Sequence, residues 1–235
     1  LGSQRVHPVR HVVFDWRGTL VSELTEHGWA SEALRKSGRD HSDAATTNLL
    51  RTIRKAAGEP NRMKDPLGNT SYERHRTTYY TVFAVAGLTD ELADALFAVD
   101  SDPSYNIFAV DAAETIAALK ANDCRIGVLS NIHFDIRPTF EQAGLLDSID
   151  AFVLSSEQGV QKPDPAIFRL ALDRLDARPE QTLMVGDRPS RDGVAVEVGI
   201  PTMLVPQLTD PRHRQLHHVT NAVASIPRDR YSAAR

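Results

Sequence analysis

The run His11-Val12-Val13-Phe14-Asp15-Trp16-Arg17-Gly18-Thr19-Leu20 constrains the fold more than any other stretch. Its apolar, β-branched start reads as a strand buried on both faces, as strands of a parallel sheet are. Gly18 permits a sharp turn just beyond, so Asp15 belongs at the strand's carboxyl end. In open α/β sheets, ligands and reacting groups collect at that edge. Arg17 is the residue chemically out of place in this run.

Bulk composition narrows the class. With 41% hydrophobic and 25% charged residues the chain is ordinary for a globular protein. A net charge of −4 argues against a nucleic-acid partner. Cys124 is the only cysteine, which rules out a disulfide within the chain and fits a reducing cytoplasm. No apolar run reaches membrane-spanning length and no signal-peptide core is visible, so no membrane partner is expected. Leu1-Gly2-Ser3 is set aside as an expression remnant.

Strand character disappears after Leu20. Helices are expected over Glu26–Ser37, Asp43–Ala57, Tyr72–Ala86 and Asp90–Ala98, the last with Thr89 as N-cap. From Asp111 onward helix and strand alternate. Asp111 with Glu114 has the spacing of a capping box for Ala112–Ala121. Strands are expected at Cys124–Leu129, Ala151–Leu154, Thr182–Val185 and Thr202–Val205. Between them fall helices near Ile136–Ala143, Ala166–Leu175 and Asp192–Val198. Such alternation implies βαβ units and a parallel sheet. The tail beyond Pro206 carries no clear signal.

Four polar clusters follow predicted strands: Asp15, Ser130-Asn131, Lys162, and Asp187 with Asp192. Each has a bland explanation alone, Asp192 as a helix N-cap among them. In parallel strands all four converge on one sheet edge. In this order they resemble the motifs of the haloacid-dehalogenase-like hydrolases. Asp15-Trp16-Arg17-Gly18-Thr19 is similar to the first motif, Ser130-Asn131 to the second, Lys162-Pro163-Asp164 to the third and Gly186-Asp187 with Asp192 to the fourth.

The resemblance implies an α/β fold with a Rossmann-like five-stranded parallel sheet flanked by helices, from residues 1–21 and 105–235. Residues 22–104 would be an inserted helical cap. It implies Asp15 as nucleophile and Lys162 as its neutralising cation, with Ser130, Asn131 and Arg17 facing the substrate phosphate. Asp15, the Arg17 carbonyl, Asp187 and Asp192 would hold Mg²⁺, whose preference is for hard oxygen ligands. The implied substrate is a small phosphorylated metabolite.

Arg17 departs from the family pattern, since the phosphatases carry an aspartic acid there as general acid/base. Arginine stays protonated and cannot replace it, a loss of roughly 10²–10⁴ in rate. Alternatives are a weak or inactive binding protein for an anionic metabolite or a protein partner, and a hydrolase of carbon–phosphorus or carbon–halogen bonds. Asp-Trp-Arg-Gly-Thr and Pro66-Leu67-Gly68 resemble the phosphonoacetaldehyde hydrolases, but Ser71 stands where those place their lysine; Lys55 and Lys64 are the nearby substitutes. Arg51, Arg54, Lys55, Arg62, Lys64, Arg74, His75 and Arg76 make the cap basic, mainly as solvated faces. His27 is a candidate proton source. Three carboxylates against Lys162 and Arg17 predict weak Mg²⁺ binding, unless the guanidinium turns away.

Overall fold

The structure is a computed structural model that describes residues 8–225; Leu1-Gly2-Ser3 lies outside them. In chain order, β1 (His11–Phe14) is followed by α1 (Glu26–Lys36), α2 (Asp43–Ala57), α3 (Tyr72–Val85) and α4 (Asp90–Asp100). Then come α5 (Ala112–Ala121), β2 (Arg125–Ser130), α6 (Arg137–Gln142), β3 (Ala151–Leu154), α7 (Ser155–Gln158) and α8 (Pro165–Leu175). The chain continues through β4 (Thr182–Gly186), a 3₁₀ helix at Gly193–Val198, β5 (Thr202–Leu204) and α9 (His217–Ser225).

The sheet is wholly parallel, in the order β3-β2-β1-β4-β5. β1 is central because every one of its residues is buried, with a partner strand on each side. Side chains alternate between two cores. Val12, Phe14, Ile126, Val128 and Val185 face one; Val13, Leu129, Val153 and Met184 face the other. Helices cover both faces, an α/β architecture as expected. No described helix is long and apolar enough to cross a membrane.

The four helices after β1 enclose a third apolar cluster, built around Ala33, Leu50, Ile53, Phe83, Leu96 and Phe97. The connections into and out of this insertion pair with each other: Ser22 N–H donates to the Ile107 carbonyl at 2.8 Å and Ala109 N–H to the Leu20 carbonyl at 2.9 Å. Between α2 and α3, Asn69 fastens the Pro66-Leu67-Gly68 turn onto the sheet side. Its N–H donates to Gln161 Oε1 at 2.7 Å, and its carbonyl accepts from Ser155 Oγ at 2.7 Å.

Thr89, Asp111 and Asp192 each stand at the N-cap position of the helix that follows, as expected, but none makes a side-chain capping bond. Thr89 occupies an N-cap position without a side-chain capping bond, its hydroxyl accepting instead from Arg39 Nη2 at 2.7 Å. Asp111 and Glu114 form no capping box. Asp111 Oδ2 accepts from Leu216 N–H at 2.9 Å and Glu114 pairs with Arg214 at 2.5 Å. Asp192 precedes a 3₁₀ rather than an α-helix, and its carboxylate serves the site instead of capping. The unread tail is well packed: Leu208, Leu216 and Val219 are buried in the first core, and Leu208 N–H donates to the Gly18 carbonyl at 2.7 Å.

Candidate active site

Asp15 leaves β1 at its carboxyl end, where its N–H donates to the Val185 carbonyl of β4 at 2.8 Å. Gly18, at φ +86°, turns the chain back so that Thr19 Oγ1 donates to Asp15 Oδ2 at 3.3 Å. The same glycine admits Asp187, because a Cβ there would lie 2.6 Å from Asp187 Oδ2. Gly186 does likewise for Asp192, whose carboxylate would collide with any Cβ at that position.

Lys162 is the cation of the site. Its Nζ donates to Asp15 Oδ1 at 2.5 Å, Asp192 Oδ1 at 2.6 Å and the Leu129 carbonyl at 3.1 Å. Asn131, just beyond β2, fixes the lysine backbone from both sides: its Nδ2 donates to the Lys162 carbonyl at 2.7 Å and its Oδ1 accepts from Lys162 N–H at 2.8 Å. Burial works against the ammonium, yet the Asp15 and Asp192 charges outweigh it and raise Lys162 above its ordinary value. Burial also raises Asp15, with Lys162 opposing.

Asp187 has a side chain only 2% exposed. Its Oδ1 has no hydrogen-bond partner, while Oδ2 lies 3.5 Å from Arg188 Nε. Burial and then the Asp15 charge push it up to about 6, against the pull of Arg188. Asp15, Asp187 and Asp192 each bring one carboxylate oxygen within 4.8 Å of the others. Three hard donors, one of them orphaned, fit a small divalent cation such as Mg²⁺. Lys162 and Arg188 N–H occupy both Asp192 oxygens, at 2.6 and 2.9 Å, which suits that residue to an outer position.

A second cluster, His75, Asp100 and His133, also meets within 4.8 Å. Its imidazoles stack at 3.6 Å and 6°. A metal lies in the plane of each ligating ring, and two parallel planes cannot share one, so this cluster is not a metal centre. His75 Nε2 lies 2.8 Å from Asp100 Oδ2, and His133 Nε2 lies 2.8 Å from Ser101 Oγ. Burial, then the neighbouring His75 charge, lowers His133 to about 3. Against the penalty of burial, the His75 hydrogen bond and the Arg17 charge hold Asp100 down at about 2.

A cavity of about 510 Å³ opens between sheet edge and insertion, lined by Asp15, Ser130, Asn131 and Lys162 below and by Met63 and Tyr79 above. Arg17 also lines it, but the guanidinium turns away from Asp15 to Asn106 Oδ1 at 3.2 Å and the Asp100 carbonyl at 2.8 Å. The predicted partial cancellation of the carboxylates by Arg17 therefore does not occur. Of the basic residues in the insertion, Arg54, Lys64 and His75 line the cavity. His27 does not; it faces Asp43 at 3.6 Å. Lys55 is exposed away from the cavity, and Ser71 caps α3 by accepting Arg74 N–H at 3.1 Å.

Asp100, His133, Arg188 and Arg191 were not singled out by sequence reasoning. His133 and Arg188 stand next to recognised motifs, a signal available in retrospect. Asp100 offers none, since its partner Arg17 is 83 positions away.

A parallel α/β sheet with a carboxylate–lysine centre at its carboxyl edge defines the class of the protein. The chain belongs to the haloacid dehalogenase-like hydrolases, a family that matches residues 9–196. (S)-2-haloacid dehalogenase 1 of Pseudomonas sp. (strain CBS-3) is 25% identical over 232 residues, covering 94% of this chain and 96% of its own length. Ribulose-1,5-bisphosphate 5-phosphatase of Halopiger xanaduensis is 36% identical over 96 residues, 40% of each chain. A solved dehalogenase with an intermediate complex shares the fold at a TM-score of 0.66 and 20% identity, over 94% of this chain and 99% of that one. The relatives thus include both dehalogenases and phosphatases.

Proposed function

We propose that the protein is a Mg²⁺-dependent phosphatase acting on a small phosphorylated metabolite, with Asp15 as nucleophile beneath a cap formed by residues 22–104. The orphaned Asp187 Oδ1 beside Asp15 supports this reading, because a buried carboxylate oxygen without a donor is unfavourable until a cation joins it. The buried Cys124 thiol suits a reducing, cytoplasmic setting.

Asp15 attacks phosphorus, the bond to the leaving oxygen breaks, and water then cleaves the aspartyl-phosphate to restore Asp15. Lys162 offsets the repulsion between carboxylate and phosphoryl oxygens. The Ser130 hydroxyl and Asn131 N–H donate to those oxygens. Asp15, Asp187 and the Arg17 carbonyl, with Asp192 behind, would hold Mg²⁺, which would supply further charge neutralisation. Arg17 provides no proton. His75 is the only histidine among the described residues that lines the cavity, and Asp100 holds its ring; we assign it the proton given to the leaving oxygen.

The full-length similarity to (S)-2-haloacid dehalogenase 1 favours a second reading, displacement of halide from carbon by Asp15. That reaction needs no acid at position 17. Phosphate esters, phosphonoacetaldehyde and 2-haloacids, each assayed with Mg²⁺ and with EDTA, separate the readings. Ester turnover that requires Mg²⁺ and vanishes in Asp15→Asn is expected. In His75→Gln, alkyl phosphate turnover should fall by roughly 10²-fold and nitrophenyl phosphate turnover far less. Haloacid turnover in EDTA, without ester turnover, overturns the phosphatase reading.

A further inference from the structure

The cavity does not end at the phosphoryl site. Toward the turn at residues 63–69 it meets a recess of about 330 Å³, and Met63, Lys64, Asn69, Arg188 and Arg191 line both. The charges around this recess do not balance. Asp65 is the only carboxylate lining it, and Arg74 holds that group through Nε and Nη2, both at 3.1 Å. Arg188 is committed to Glu23 at 2.8 Å and Asp187 at 3.5 Å. The side chains of Arg191 and Lys64 have no hydrogen bond or ion pair among the described residues.

Arg191 is the informative one, because it is half-buried. Arg17 and Arg188, comparably enclosed, each have a carboxylate partner. A guanidinium partly withdrawn from water beside a second arginine, with no carboxylate in contact and only the more distant charges of Asp15, Asp192 and Glu23 to offset it, is an unfavourable arrangement in the free protein. An anion reverses the sign of that interaction. The guanidinium fork matches a carboxylate or phosphate through two parallel bonds.

We infer that Arg191, with Lys64 opposite, forms a second anion subsite, so that the substrate carries a carboxylate or a second phosphate in addition to the group transferred to Asp15. The phosphoryl end of this inference rests on the phosphatase reading; the subsite itself does not. Arg191 adjoins Asp192 and is fixed to the sheet side, whereas Lys64 belongs to the insertion. An anion held by both bridges the two.

Calorimetry with non-hydrolysable probes tests this on the intact protein in Mg²⁺. The probes are 3-phosphonopropionate, propylphosphonate and succinate. Wild type should bind 3-phosphonopropionate at least about tenfold more tightly than propylphosphonate, as a charge-assisted pair implies. Arg191→Gln should reduce that preference to within about threefold, and Lys64→Gln should reduce it less. Thermal denaturation of Arg191→Gln should show no loss of stability, since no ion pair is broken. Equal affinity for the two phosphonates overturns the subsite while leaving the phosphatase reading intact. So does a preference that survives Arg191→Gln. If neither phosphonate binds but succinate does, and only with Arg191 present, the subsite stands and the phosphatase reading falls. No binding of any probe overturns the subsite.

Discussion

Arg17, two residues beyond the proposed nucleophile, grips Asp100 at the last turn of α4. Its Nη2 donates to the Asp100 carbonyl at 2.8 Å and its Nη1 lies 3.8 Å from the carboxylate. A cation at a helix carboxyl terminus also complements the helix dipole. Asp100 in turn faces His75 Nε2 at 2.8 Å. The position from which related phosphatases present their acid thus ties the sheet to the insertion, and connects through one carboxylate to an imidazole in the cavity.

This relationship changes what Arg17→Asp should do. Restoring an acid would raise alkyl phosphate turnover if nothing else changed. Here the new carboxylate meets Asp100, whose side chain is 17% exposed, and that group loses its cation. We expect a stability loss of about 2–4 kcal/mol by urea denaturation. Adding Asp100→Asn should recover most of it. A gain on alkyl phosphates, with little on nitrophenyl phosphate, should appear only in the double variant. A stable, fully folded Arg17→Asp protein would show that the Arg17–Asp100 contact contributes nothing.

Lys162→Met is predicted to be costly for a different reason. It leaves Asp15 and Asp192 facing each other, nearly dry and without a cation. Breaking a buried pair in this way costs about 3–5 kcal/mol at neutral pH. Adding Asp192→Asn should return at least half of the loss, because one of the two stranded charges is gone. Phosphatase activity should remain at background in both variants. Chemical denaturation and ester turnover are the measurements.

The fold was legible where the pattern is local. The periodicity of Asp43–Ala57 and Ala112–Ala121 marks both helices to the residue, and apolar runs mark the strands. Asp15, Lys162, Asp187 and Asp192 were legible as a set because parallel topology sends strand ends to one edge. Arg17 was legible as an anomaly but not in its direction, because Asp100 and Asn106 reach it only through tertiary packing. Capping read from spacing failed at Asp111 for the same reason: its carboxylate is taken by Leu216, 105 positions on. Arg191 stands next to Asp192 in the sequence, but its lack of a contacting partner is visible only in three dimensions.

With Arg17 turned to Asn106 and Asp100, the three carboxylates are opposed only by Lys162 and by Arg188 on the Asp187 side, and divalent-cation binding should not be weakened. Mg²⁺ should raise the melting temperature in a concentration-dependent way, as any ligand of the native state does. Asp187→Asn should abolish the shift, because it removes the charge of the carboxylate that carries the orphaned Oδ1. Gly18→Ala should diminish it as well, since its Cβ displaces Asp187 and strains a backbone at φ +86°. Retention of the full shift in Asp187→Asn would remove that residue from the metal site.

His133 should make the protein acid-labile well above the carboxylate range. Its side chain is 1% exposed and stacked on His75, and it titrates at about 3 when folded against about 6.5 when unfolded. Between those values the unfolded chain binds the extra proton, so stability falls as pH falls, by up to about 1.4 kcal/mol per pH unit. Asp187, raised to about 6, works in the opposite sense between pH 6 and 4, because there the folded state holds the proton. Asp100, held at about 2, adds its own loss only below pH 4. The wild-type curve is therefore a composite, and the comparison with His133→Gln isolates the histidine. That variant should be less stable at pH 7.5, having lost the ring stack, but its stability should decline less steeply from pH 6.5 to 4. Urea midpoints across that range measure both slopes. Parallel curves for the two proteins would show that His133 takes up its proton as readily folded as unfolded.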